Sequence, residues 1–182
     1  MTIDAEQAGA MLAEVDSIVA KVKRSRVYRQ TGGLLILWGA IVVAADLIGF
    51  ARPRWSIAAW VTANALGAAA TFVMLRAAAE PPSRMPWRFL AAFALFAAFG
   101  LLWSVGFGHF GPRELDAFWP TLVLFGYALA GLWFGAAFAA LGLTLSALVL
   151  AGYLWSGPWF DLWLAAVNGG GFIVCGLWMR RA

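Results

Sequence analysis

The sequence predicts an all-α polytopic membrane protein, with six transmembrane helices as three helical hairpins and an amphipathic cytoplasmic helix ahead of them. Three observations carry this. Of 182 residues, 63% are hydrophobic and 12% charged, where ordinary soluble domains carry about 25% charged residues. Mean hydropathy is +0.81. Beyond residue 31, apolar stretches alternate with short polar breaks, and about 20 apolar residues suffice to cross the ~30 Å hydrocarbon core. Each stretch is helical, because backbone groups in lipid must be paired within the segment. The alternating polar positions of barrel strands are missing. The chain divides into residues 1–30, a cytoplasmic helix with a basic juxtamembrane segment, and residues 31–182, a six-helix bundle.

Residues 1–20 hold Asp4, Glu6, Glu14 and Asp16 and no Lys or Arg, which is not the pattern of a signal peptide. Asp4 and Gln7 form a capping pair, and Ala8, Met11, Leu12, Val15, Ile18, Val19 and Val22 recur at spacings of three and four, on one helical stripe. Lys21, Lys23, Arg24, Arg26 and Arg29 follow as a basic block that anchors at lipid headgroups. The acidic first half is repelled by anionic headgroups, so its stripe, Met11, Leu12, Val15, Ile18 and Val19, is the candidate docking face for a cytoplasmic protein or a second copy of the chain. The competing reading packs it on the inner loops of its own bundle or of a second copy.

Six spans are expected at 32–50, 55–75, 88–107, 117–134, 136–155 and 159–178. Residues 117–155 form an apolar run of 39 positions, about twice a crossing, so a tight turn near Gly135 must divide it. With the N-terminus inside, ten Lys and Arg fall on inner segments and three, Arg52, Arg54 and Arg113, on outer loops. That asymmetry places both termini in the cytoplasm of a multi-pass protein of a bacterial-type inner membrane. The net charge of +4 is thereby a topology signal, and no direct nucleic-acid binding is expected.

An internal repeat accompanies the spans. Trp55, Asn64, Gly67 and Arg76 are matched by Trp159, Asn168, Gly171 and Arg180, all at an offset of 104. Span 4 matches in part, with Trp119 and Gly131 but Ala128 where Asn would stand. The simplest unit is an in-out-in hairpin used three times. With this hairpin rhythm over residues 32–179 and its recurring Gly and aromatic positions, the chain resembles the HdeD-type acid-resistance membrane proteins of bacteria. The runs FWPTLVLFGYALAGLWFG (118–135) and GGGFIVCGLWMRR (169–181) are also similar to small bacterial membrane proteins encoded beside winged-helix regulators. These resemblances imply a six-span bundle and transfer no catalytic or binding residue.

Candidate functional residues are few. Asp46 is the carboxylate inside a span, near its outer end, and intramembrane ionisable groups are costly; it is either a proton or cation site or a shallow group paired with Arg52 or Arg54. Asn64 and Asn168 each stand nine residues from the outer Trp of their span, about 13 Å down. Tyr127 and Thr144 fall at similar depth, so these four with Asp46 could form a polar layer that binds a ligand, or could simply bond helix to helix. His109 lies in an outer loop with Glu114 and Asp116, as a pH sensor or as a solvated loop histidine. Small residues repeat every four positions at Gly100, Ser104 and Gly108, at Gly131 and Gly135, at Gly142 and Ser146, and at Ala165 and Gly169, a packing signal. The triple glycine 169–171 beside Asn168 either favours close helix approach or loosens the helix and exposes carbonyls to an ion.

One Cys and one His leave no basis for an internal disulfide, a several-cysteine zinc site or a histidine-built metal site. No Walker sequence, GxGxxG, CxxC or HExxH occurs, so neither a cofactor nor enzymatic activity is expected. The leading functional expectation is a non-enzymatic sensor, stress-related or accessory membrane component. The alternative is a small-solute or ion transporter that uses the polar layer.

Overall fold

The computed structural model describes residues 5–77 and 87–181, with side chains for 28–77 and 91–181. Every regular element among them is helical. The first helix, α1 (Ala5–Ala51), is followed by a 3-10 turn (Pro53–Trp55), α2 (Ser56–Ala77) and α3 (Trp87–Leu101), which ends in a π-helical stretch (Leu102–Phe107). Then come α4 (Pro112–Phe134), α5 (Ala136–Trp155), a second 3-10 turn (Gly157–Trp159) and α6 (Phe160–Leu164); a π-helical turn (Ala165–Gly169) joins α6 to α7 (Gly170–Arg181).

Five segments are long and apolar enough to cross a membrane: Tyr28–Ala51, Pro53–Ala77, Pro112–Phe134, Ala136–Trp155 and Gly157–Arg181. They coincide with five of the six expected spans. The third contributes a shorter apolar helix, Ala91–Phe107. At Gly135 the φ of +117° is one that side-chain-bearing residues rarely adopt, and it divides α4 from α5 where the long apolar run required a turn.

No helix break marks the expected domain boundary at 30/31. α1 runs for 47 residues, about 70 Å, so the segment carrying the basic block continues directly into the first span. Gly32 survives mid-helix because it is a contact point: a Cβ there would lie 2.7 Å from the Gly176 carbonyl oxygen. The side chains of Met11, Leu12, Val15, Ile18 and Val19 lie outside those described.

The core is a four-helix arrangement of α1, α4, α5 and the α6–α7 helix. Its buried side chains include Leu35, Leu124, Leu145, Val149, Leu164 and Phe172, and among the described residues α2 and α3 contribute none. The most extensive packing is between α4 and α5 and between α1 and α7. Both pairings join different members of the expected hairpins. α2 leans on α1 through Gly67, which sits under the Trp38 indole, and Trp38 Nε1 donates to Thr71 Oγ1 at 3.1 Å. α3 meets α4 where Gly100 faces Trp119 and Leu122.

The repeat has a structural counterpart at its start. Pro53–Trp55 and Gly157–Trp159 are both 3-10 turns, offset by the same 104 positions and each ending on the repeated Trp. The two copies then diverge at the Asn position.

Candidate functional site

The end of the bundle opposite the termini gathers its charges. Asp46 comes from α1, Arg113 and Asp116 from the start of α4, and Asp161 from α6. Asp46 is 4% exposed, its Oδ2 has no hydrogen-bond partner, and Asp116 and Asp161 lie within electrostatic reach of it. No ion pair joins Asp46 to Arg52 or Arg54. α1 ends at Ala51, and the two arginines follow in the turn beyond it, where both are exposed.

Asp46 therefore has a cost that the described residues do not offset. A buried carboxylate oxygen without a partner destabilises, and two further carboxylates add repulsion. Asp46→Asn is expected to raise stability in detergent by about 1 kcal/mol, read from the unfolding midpoint. A loss of that size would show that Asp46 has a partner other than the described residues.

Arg113 anchors the same end. Its guanidinium donates to the carbonyl oxygens of Gly157 (2.7 Å) and Tyr153 (2.8 Å), and it lies over the rings of Tyr153 and Phe160, 5.4 Å from each centroid. It thus ties the start of α4 to the corner between α5 and α6. Nothing in sequence pointed to this role, because its partners lie 40 and 44 positions away. Arg113→Ala is expected to cost about 2 kcal/mol, as charge-assisted hydrogen bonds are lost. Lys, with a single ammonium, should recover less than half of that, and thermal unfolding of the two variants checks both figures.

The five residues of the expected polar layer do not converge. Asn168 is buried at 3% exposure, in the π-helical turn Ala165–Gly169, and its Oδ1 has no partner. Tyr127 is half-buried, with its ring 6.5 Å from Phe138 and 5.8 Å from Phe172, one helical turn along from Asn168. Thr144 is exposed on the outside of α5. Asn64 is also exposed, and its Nδ2 donates to the Trp60 carbonyl oxygen of its own helix at 2.8 Å. Asp46 belongs to the charged end described above.

The triple glycine starts at the end of a π turn and continues into α7, with its first glycine in a close helix contact. The helix widens into a π turn at Ala165–Gly169, and Gly169 closes on α1, where a Cβ would lie 3.0 Å from the Gly39 carbonyl oxygen. Ser104, buried in the other π-helical stretch, donates to the Gly100 carbonyl oxygen at 2.7 Å. His109 is exposed, with φ +46°, in a loop that folds back as Phe110 N–H donates to the Ser104 carbonyl oxygen at 2.8 Å. Neither Glu114 nor Asp116 bonds to it. Cys175 is partly buried and free, and no group of three or more metal-ligating His, Cys, Asp or Glu exists among the described residues. Compared with protein-family models, with curated proteins and with solved structures, the chain matches none.

Proposed function

We propose that this integral membrane protein is a non-enzymatic sensor or accessory component, stress-related in the sense its resemblances imply, and not a conduit for solutes. The observation that carries the reading is the dispersal of the polar layer around an apolar centre. Thr144 and Asn64 face outward, while Leu35, Leu124, Leu164 and Val149 are at most 1% exposed at the centre of the bundle. A permeation path needs polar groups lining a connected cavity, and those side chains fill the place where one would run. α1 supports the sensing half of the reading, since one unbroken helix leads from Asp46 to the N-terminal docking stripe. A displacement at the charged end would pass along it to a cytoplasmic protein or a second copy.

The test is flux of protons, sodium and potassium into liposomes containing the purified protein. Rates equal to those of empty liposomes are expected. Flux abolished by Asp46→Asn would instead establish the transporter reading.

Orientation follows from the charge asymmetry, in a bacterial-type inner membrane with both termini cytoplasmic. Reporter fusions after Ala79, Arg113 and Ala182 are expected to read inside, outside and inside. A C-terminal fusion reading outside would overturn it.

A further inference from the structure

The groove between α1 and α2 is a recess on the molecule's flank, with a volume of about 450 Å³. It exists because its walls are built from small residues. Ala44 and Ala45 on α1 and Ala58, Ala59 and Ala63 on α2 face it, whereas one turn beyond it the Trp38 indole fills the space between the helices against Gly67. Ile41 and Leu66 line the end nearest Trp38, and Ile48 and Trp55 the end nearest the Pro53–Trp55 turn.

Its dimensions and its mouth point to one occupant. From Trp55 to Leu66 the groove follows eleven residues of helix, about 16 Å, which is roughly half of the ~30 Å hydrocarbon core and so the depth of one leaflet. Just beyond that second end, in the turn between the two helices, stand Arg52 and Arg54. Both are exposed, and neither side chain makes a hydrogen bond or ion pair among the described residues. Arg113, the other arginine at this end, is already held by two carbonyl oxygens. An apolar slot one leaflet deep, flanked at one end by the turn that carries two exposed and unpaired arginines, has the length and neighbouring charge to take a lipid. Guanidinium forks match phosphate oxygens.

We infer that the α1–α2 groove is a binding site for an anionic phospholipid, with one acyl chain lying between the helices and the phosphate held by Arg52 and Arg54. The inference is independent of whether the protein senses or transports, since it rests only on the groove and the two arginines.

The experiment is native mass spectrometry of the full chain in detergent, titrated in turn with phosphatidylglycerol, phosphatidylcholine and glycerol phosphate. Phosphatidylglycerol is expected to bind more tightly than phosphatidylcholine, and glycerol phosphate, which lacks acyl chains, to show no binding. Arg52→Gln with Arg54→Gln should weaken phosphatidylglycerol roughly thirtyfold, from about 1 kcal/mol per basic residue at a membrane surface, and weaken phosphatidylcholine clearly less, because its choline cation already offsets the phosphate charge. Ala59→Phe, which fills the slot, should reduce both lipids. Equal binding of the two lipids by the parent chain would overturn the inference, as would an arginine double variant that binds phosphatidylglycerol like the parent. A change of oligomeric state in Ala59→Phe with lipid binding intact would assign the groove to a second copy instead. If Ala59→Phe does not fold, the double arginine variant decides, because neither arginine side chain has a partner to lose.

Discussion

Gly142→Leu is expected to lower stability by about 3 kcal/mol, the upper end of what overpacking a close contact costs. A Cβ at Gly142 would lie 2.5 Å from both the Ala128 nitrogen and the Leu124 carbonyl oxygen. These are backbone atoms of the facing helix, so no side chain can swing aside and α4 must move away from α5. The reciprocal contact is made by Gly131 against the backbone of Ala139, and fully buried Leu124 stands at the Gly142 end of the seam. Gly126 supplies the control, since nothing lies within 4 Å of a Cβ there. Gly126→Ala should be neutral or gain up to about 1 kcal/mol from helix propensity. Unfolding by denaturant in mixed micelles orders the two variants, and a Gly142→Leu protein as stable as the parent would refute the α4–α5 packing.

The second large effect is at the seam of α1 and α7. Gly32 and Gly39 are seven residues apart on α1, close to two turns, and face Gly176 and Gly169, also seven apart. A Cβ at Gly39 would lie 2.7 Å from the Gly169 carbonyl oxygen, and one at Gly176 would lie 2.6 Å from that of Gly32. Gly39→Leu and Gly176→Leu are each expected to cost about 2 to 3 kcal/mol. Combined, they should cost clearly less than their sum, because the first already parts the helices that the second would push. Additive costs in this double-mutant cycle would mean that the two contacts are not one seam.

How far these features were legible in the sequence depended on whether they lie along a helix or around it. The break at Gly135 was legible because an apolar run of twice the bilayer thickness has to turn, and glycine is the residue that accepts the required φ. The entry turns at Trp55 and Trp159 were legible as an offset of 104. Depth was legible for Asn64 and Asn168 from their distance to those tryptophans, but azimuth was not. A helix apolar on all sides carries no stripe to say which side meets protein and which meets lipid, so one asparagine is buried and its repeat mate is exposed. The same gap hid the mismatch between Asp46 and Arg52 or Arg54. It also hid the glycine seam, where the small residues of α1 are visible in sequence but their partners on α7 follow only from helix pairing. Arg113 counted as a loop charge because its two carbonyl acceptors belong to a distant corner.

The closed apolar centre is the claim from which the functional reading follows, and thiol accessibility tests it most directly. In a Cys175→Ala background, Asn168→Cys and Val149→Cys place single thiols at 3% and 0% exposed positions, while Arg54→Cys places one in the exposed turn. A charged, membrane-impermeant thiol reagent applied to folded protein in liposomes is predicted to label the Arg54→Cys thiol and to leave the other two unmodified from either side until the protein is unfolded. Labelling of both core thiols in the folded protein would mean that water reaches the centre of the bundle, and would contradict the account.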